Sequence, residues 1–183
     1  MSDSLAPGFL IAVPYLQDPN FRKAVVLLLE LNADGAMGIV INQKSPLRLG
    51  DLCADHQMAY RGTPEKCVFN GGPVQPEQGL VLYGDEHRDP EGRQVLDGLH
   101  VSASRATLGR LCEQERARFH CYSGYAGWGP GQLEREIAEG SWIVTPCDAG
   151  TVLDAPAAEV WSRCLTANGI DPGALVPGGC REA

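Results

Sequence analysis

The segment A-V-V-L-L-L-E-L-N-A-D-G-A-M-G-I-V-I-N, residues 24–42, contains two apolar runs joined by a turn. The turn reads N-A-D-G, and Asp and Gly tolerate the positive φ angles that a tight hairpin requires. β-branched residues and leucines fill both runs, which favours strands. The segment therefore predicts a β-hairpin. Because successive rather than alternate positions are apolar, we expect other elements to cover both faces of this hairpin.

Short elements are predicted on both sides of the hairpin, because 22 glycines and 13 prolines interrupt the chain often. Two runs that flank a polar loop, 79–83 and 95–101, indicate a second hairpin. The other predicted strands are 8–13, 67–69, 118–122 and 142–145, and the predicted helices are 49–58, 104–115, 131–139 and 156–168. The sequence thus predicts a sheet-rich chain in which helices are the minority.

Length and composition indicate one domain. The chain has 183 residues, of which 44% are hydrophobic, and this is enough for one core of ordinary size. We expect a single unit over 1–183, with a bilobed shape as an alternative. The ends, 1–7 and 171–183, are predicted to be flexible tails.

The formal net charge is −8, which disfavours nucleic acid as a partner because such binding depends on Lys and Arg displacing counterions from phosphates. No run is long enough to span a membrane, and the N-terminus lacks a basic leader. The seven cysteines are an odd number without metal-type or redox-type spacing. We therefore predict a cytoplasmic protein whose thiols are mostly small core residues, with Cys180 as the exposed one.

No catalytic motif is present. The chain contains no G-x-S-x-G and no H-E-x-x-H, so we predict no catalytic residue, no metal and no cofactor. A Cys–His pair such as Cys121 with His100 is the weakest of the alternatives, because only the fold could bring the two together.

The segment Y-S-G-Y-A-G-W-G-P-G-Q, residues 122–132, is the best candidate for a binding site. In the ligand hypothesis, Tyr125 and Trp128 stack on a small anion, Gln132 orients it, and the N–H groups of Gly129 and Gly131 bind its charge. The remaining predicted ligand-binding residues are Gly127 in the same segment and Gly71, Gly72 and Gln75 in N-G-G-P-V-Q, which would form the opposite wall. The alternative is that the glycines permit close backbone packing while the aromatic side chains fill the core.

Polar residues at the ends of the first hairpin are predicted to be structural. Arg22 and Glu30 lie beside apolar runs and are interpreted as charge anchors, through an ion pair or hydrogen bonds, rather than ligand contacts. Asn42, at the end of the hairpin, is predicted to cap the backbone.

Four motifs occur in order along the chain: G-F-L-I-A-V-P, D-G-A-M-G-I-V-I-N, F-N-G-G-P-V-Q and G-Y-A-G-W-G-P-G-Q-L-E. Together they resemble the AlgH/YqgE family of bacterial proteins over nearly the whole chain. The resemblance implies an α+β fold of coiled, mixed and antiparallel sheets with short flanking helices. It also implies a cytosolic bacterial protein from a family without an established biochemical activity or catalytic residues.

The function predicted from the sequence is a non-enzymatic binding or regulatory role that uses the glycine-aromatic segment. Its partner would be a small anionic ligand or a protein, and a homo-oligomer is compatible with the sequence. One alternative is a transcriptional regulator that contacts DNA, which follows only from a label given to some family members. The other is an enzyme whose site has no recognisable motif.

Overall fold

The computed structural model describes residues 4–173, so Cys180 and most of the predicted C-terminal tail lie outside the described residues. The strands are β1 (Gly8–Ala12), β2 (Val25–Asn32), β3 (Gly35–Val40), β4 (Lys44–Arg48), β5 (Cys67–Asn70), β6 (Val74–Tyr83), β7 (Arg93–Leu96), β8 (Leu99–Ser102), β9 (Phe119–Trp128) and β10 (Trp142–Thr145). The helices are α1 (Leu49–Asp55), α2 (Arg105–Cys112), α3 (Gln132–Ala138), α4 (Ala149–Leu153) and α5 (Ala157–Ala167). Within this part of the chain, no helix combines the length and apolar character needed to cross a membrane.

The predicted first hairpin is confirmed. Strands β2 and β3 pair antiparallel, and Asn32 opposite Gly35 closes the turn. Asn42 caps the open end as predicted: its side-chain oxygen accepts a hydrogen bond from the Val25 N–H at 2.9 Å, and its amide donates to the Lys23 carbonyl at 2.8 Å. The hairpin is therefore fixed at both ends.

Both faces of the hairpin are buried, as the continuous apolar runs predict. Val25 and Leu27 point into one core, which helix α5 covers, while Val26 and Leu28 point into a second core that contains Trp128. All four aliphatic side chains are fully excluded from solvent. Burying each of them stabilises the fold by about 1.5–3 kcal/mol, so this hairpin forms the centre of the molecule.

Strand β9 joins the two halves of one curled sheet. Its last residues, 126–128, pair with β3, while its first residues pair with β6 on one side and with β5, in parallel, on the other. The strand order is β10-β1-β2-β3-β9-β6-β8-β7, with β4 attached through β5. The fold is thus α+β, largely antiparallel, with short helices on its faces, as predicted.

Three glycines allow the turn between β5 and β6 to cross β9 at backbone contact. A Cβ atom on Gly72 would lie 2.2 Å from the carbonyl carbon of Tyr125, and one on Gly71 would lie 2.4 Å from the Gly124 oxygen. Gly124 itself has φ +73° and would meet the Gly72 oxygen at 2.4 Å. No other residue type fits these distances without moving the backbone.

The prediction of a second hairpin over 79–83 and 95–101 is confirmed in part: β6 pairs antiparallel with β8, with Leu82 opposite Val101, but the second run is two strands rather than one. The run 95–101 contains a turn at Asp97-Gly98, where Gly98 has φ +85°, and divides into β7 and β8. Strand β8 pairs with both β7 and β6. The D-G dipeptide carries the same turn signal as residues 34–35. Because apolar residues lie on both sides of it, the run 95–101 was interpreted as a single strand.

Strand β4 and helix α4 were not predicted, and strands β6 and β9 are longer than predicted. Strand β4 reads K-S-P-L-R and α4 spans five residues, so neither has a periodic apolar pattern. Strand β9 continues past Tyr122 to Trp128, because the glycines of this segment pair within the sheet rather than forming a loop.

Replacement of Gly124 by alanine should destabilise the protein by roughly 3 kcal/mol. This figure adds the free-energy cost of a left-handed conformation at alanine to the cost of relieving the forced backbone contact. The measurement is urea unfolding. Gly79→Ala is the matched control, because a Cβ there meets nothing within 4 Å. Its effect should stay within about 0.5 kcal/mol. Equal stability of the two variants would show that the crossing does not constrain the fold.

Candidate functional site

The aromatic side chains of the predicted binding segment are packed inside the protein. Trp128 is 6% exposed, stacks on Phe21 with ring centroids 6.0 Å apart, and meets the edge of Trp142 at 6.0 Å. Its indole N–H donates to Glu136 at 2.8 Å. Tyr125 is half-buried against the first core. These contacts agree with the packing alternative for both residues.

The polar groups of the same segment have partners within the protein. The Gly129 N–H, predicted to bind an anion, donates to the side-chain oxygen of Gln132 at 3.0 Å. Gly131, with φ +72°, caps α3, which is a helix of seven residues. Gly127 lies in β9 opposite Met37. That a ligand contacts these residues stays a prediction, and their visible role is structural.

The two glycine motifs do meet, but at the backbone crossing. Gly71 and Gly72 are buried there, and the short distances to β9 leave no space for a ligand between the two walls. Gln75 is exposed and follows the crossing with φ +45°. The predicted site is therefore closed at its centre.

The predicted charge anchors are both exposed. Glu30 forms an ion pair with Arg93, with 3.7 Å between the charged atoms, and so connects β2 to β7. The side chain of Arg22 forms no ion pair or hydrogen bond within residues 4–173. Since the Glu30 pair is more than half exposed, it contributes little to stability.

A bulge in β6 opens a cavity beside the crossing. Val74 pairs with Tyr125 and Gly79 with Ser123, so residues 75–78 of β6 lie opposite the single residue 124 of β9. Pro76 has no N–H to donate to the ladder, which explains why the pairing stops here. The Ser123 hydroxyl donates to the Pro76 carbonyl and holds the bulge in place. The displaced residues form one wall of the cavity.

The cavity has a volume of about 540 Å³. Helices α1 and α2 supply the opposite walls, and strands β5, β6 and β9 form the floor. Most of its lining side chains are apolar, with Leu52 on α1, Met58 in the segment that follows α1, and Leu108 on α2. Apolar walls and this volume are typical of small-molecule sites.

Charged groups lie at the edge of the cavity. Arg105, at the first position of α2, donates to the His56 carbonyl at the end of α1 but forms no ion pair in the described part of the chain. Glu77 lies on the bulge. A ligand with an apolar body and one anionic end could therefore place the apolar part on the walls and the charge at Arg105.

Cys121 lies in the floor of the cavity, and burial raises the pKa of its thiol to about 12. It is therefore protonated at neutral pH and is not prepared for nucleophilic attack. His100, the partner considered from the sequence, instead contacts Asp85 at 2.6 Å and stacks on Tyr83. The structure gives no support to a Cys–His pair.

A second cavity, of about 490 Å³, lies between β10, α4 and α5. Its charged side chains already have partners: Asp154 accepts from Arg118 at 2.7 Å, and Arg163 donates to Glu159 at 2.7 Å. It therefore presents fewer free groups to a ligand than the cavity at the bulge.

Sequence reasoning identified the N-G-G-P-V-Q motif but missed the cavity that follows it. The available signal was Pro76 inside the run V-Q-P-E-Q-G, since a proline in a strand indicates an edge or a bulge. Leu52, Met58 and Leu108 carried no signal, because apolar residues usually belong to a core.

The chain resembles known proteins along almost its full length. A family model described as AlgH-like matches residues 9–173. A UPF0301 protein from Myxococcus xanthus is 44% identical over 176 residues, covering 96% of this chain and 97% of the relative. A UPF0301 protein from Stenotrophomonas maltophilia is 37% identical over 171 residues, covering 92% and 91%.

Two solved structures share the fold. The solution structure of the AlgH protein from Pseudomonas aeruginosa has a TM-score of 0.76 and 32% identity, and the match covers 98% of both chains. The crystal structure of protein DIP2367 from Corynebacterium diphtheriae has a TM-score of 0.75 at 19% identity, covering 91% of this chain and 88% of that one. The predicted resemblance is confirmed, and the chain belongs to the AlgH-like family.

Proposed function

We propose that the protein is a non-enzymatic binding protein for a small, mostly apolar molecule that carries one anionic group. The observation that carries this proposal is the cavity of about 540 Å³ beside the β6 bulge, with apolar walls and Arg105 at its edge. The floor contributes a protonated thiol rather than an activated nucleophile. The site is therefore suited to binding without a chemical step.

The apolar walls supply most of the affinity in this proposal. Leu52, Met58 and Leu108 are only partly buried by the protein, and each packs on the third core, around Leu49 and Leu111. An apolar ligand would remove their remaining exposed surface from water, which gains about 25 cal/mol for each Å². Leu47, 39% exposed at the edge of β4, would gain in the same way.

Arg105 supplies the preference for an anion. The net charge of −8 disfavours anions over the surface as a whole, so a local cation is needed. Arg110 and Arg118 are unsuitable, because each is already paired, with Asp89 at 2.8 Å and with Asp154. These pairs also weaken the case for a DNA-binding surface, which needs several free cations on one face.

Gly79→Phe should block the cavity without disturbing the fold. Gly79 lines the cavity, its φ is unremarkable for an L-residue, and a Cβ there enters open space. Titration with anilinonaphthalene sulfonate, an apolar aromatic anion, should give saturable fluorescence with the native protein, and the variant should bind at least tenfold more weakly.

Gly129→Phe provides the comparison for this experiment. Gly129 is also exposed with ordinary contacts, but it lies in the glycine-aromatic segment. A loss of binding in Gly129→Phe and not in Gly79→Phe would place the ligand at that segment and overturn the proposed cavity. Absence of saturable binding by the native protein would reject the proposal itself, provided urea unfolding shows that all three proteins are folded.

Arg105→Gln should weaken the binding of decanoate about fivefold and leave the binding of decanol unchanged, because an exposed charge pair contributes about 1 kcal/mol. Isothermal titration calorimetry measures both. The matched control is Arg116→Gln, which makes the same charge change at an exposed arginine outside the cavity lining. If both substitutions weaken the binding of decanoate equally, the effect arises from the net charge of the protein, and Arg105 does not bind the anion.

A further inference from the structure

Two buried cysteines are in contact between the helices that form the walls of the cavity. The sulfur atoms of Cys53 in α1 and Cys112 at the end of α2 lie 3.4 Å apart, and both residues are fully excluded from solvent. They are 59 positions apart in the sequence, so only the tertiary fold brings them together. Both are free thiols in the structure.

The surroundings of this pair differ from an ordinary hydrocarbon core. Lys66 is largely buried beside the pair; its ammonium group donates to the Phe119 carbonyl and lies 4.0 Å from the centre of the Phe119 ring. No ion pair neutralises it within residues 4–173. Burial lowers the pKa of Lys66 to about 8 and raises the pKa of the Cys112 thiol, while the charge of Lys66 acts in the opposite direction on that thiol.

We propose that Cys53 and Cys112 form a redox modification site, in which oxidation joins α1 to α2 by a disulfide bond. The sulfur atoms need to approach by little more than 1 Å to reach bonding distance. Burial raises the pKa of the Cys112 thiol, so this thiol is mostly protonated at neutral pH, while the positive charge of Lys66 opposes the shift and stabilises the minor thiolate fraction that reacts.

Hydrogen peroxide is an oxidant of suitable size and chemistry. The Cys112 thiolate attacks one peroxide oxygen, the O–O bond breaks, and the departing hydroxide takes up the thiol proton to form water, which leaves a sulfenic acid. The Cys53 sulfur then attacks the Cys112 sulfur, the S–O bond breaks, and hydroxide leaves with the Cys53 proton as a second water. Two thiols are oxidised to one disulfide, and one peroxide is reduced to two waters.

The cavity offers a route to the pair. Leu52 precedes Cys53 in α1, Leu108 lies one turn before Cys112 in α2, and both leucines line the cavity. A small displacement of α1, which is seven residues long and lacks a side-chain N-cap, would admit an oxidant. Because both thiols are buried, we expect the reaction to be slow and selective for small oxidants.

The bond would also fix the distance between two cavity walls. An effect of this bond on ligand affinity rests on the proposed function. Formation of the disulfide does not, because it can be measured without any ligand. Closing a loop of this length should raise the midpoint of thermal unfolding by about 5–10 °C, within the range known for disulfides.

The test is oxidation of the folded, fully reduced protein with hydrogen peroxide, followed by alkylation of the remaining thiols and peptide mass spectrometry under non-reducing conditions. A peptide that links Cys53 to Cys112, accompanied by the rise in melting temperature, supports the proposal. Cys53→Ala and Cys112→Ala should each abolish both changes. Cys164→Ala, which removes a buried thiol from a different core, should abolish neither.

Two outcomes would overturn the inference. One is oxidation of the half-buried Cys67 and Cys147 with no link between Cys53 and Cys112. The other is a link that forms as fast in concentrated urea as in buffer, because the fold would then play no part. The native protein alone gives both readouts, so the test does not depend on whether the alanine variants fold. Disulfide formation in a protein that binds no anilinonaphthalene sulfonate would reject the proposed ligand but retain the redox site.

Discussion

Backbone contact at the crossing of Gly72 and Tyr125 is the constraint on which the rest of the structure depends. A side chain at Gly72 would lie 2.2 Å from the β9 backbone, so the crossing exists only with glycine. Through it, the turn between β5 and β6 is held against β9, and β9 in turn pairs with β3 of the central hairpin. The two halves of the sheet are thereby one continuous structure rather than two separate layers.

The crossing also determines where a cavity can form. After Gly72 the chain must return to pair with β9, and Pro76 delays this return because it has no N–H to donate. The four displaced residues stand away from the sheet, and α1 and α2 cover only part of the space that they leave. The glycine motif thus leaves no space for a ligand at the crossing itself, but the path of the chain after it forms the cavity a few residues later.

The sequence predicted the parts of the fold that depend on local chemistry. The hairpin with its N-A-D-G turn and the Asn42 cap follow from residue types at fixed spacings, and the structure contains both of them. The parallel pairing of β5 with β9 did not follow, because strand partners are chosen by contacts between distant residues. The cavity was missed for the same reason: Leu52 and Leu108 are ordinary apolar helix residues until the fold brings both to the lining of one cavity.

The number and spacing of the cysteines gave no indication that Cys53 and Cys112 are in contact. An odd number of thiols without close spacing correctly indicated free cysteines within the described residues, yet it concealed that two of them touch. Leucine or valine would fill the same volume as these cysteines without a polar atom. Such side chains would not stabilise the buried charge of Lys66 any better than the thiols do. The pKa of Lys66 is about 8, so its ammonium group is mostly charged at neutral pH although it has only a carbonyl and an aromatic ring as partners. The burial of Lys66 costs free energy through loss of hydration, and its charge offsets part of the effect of burial on the Cys112 thiol, which links the cation to the chemistry of the cysteine pair.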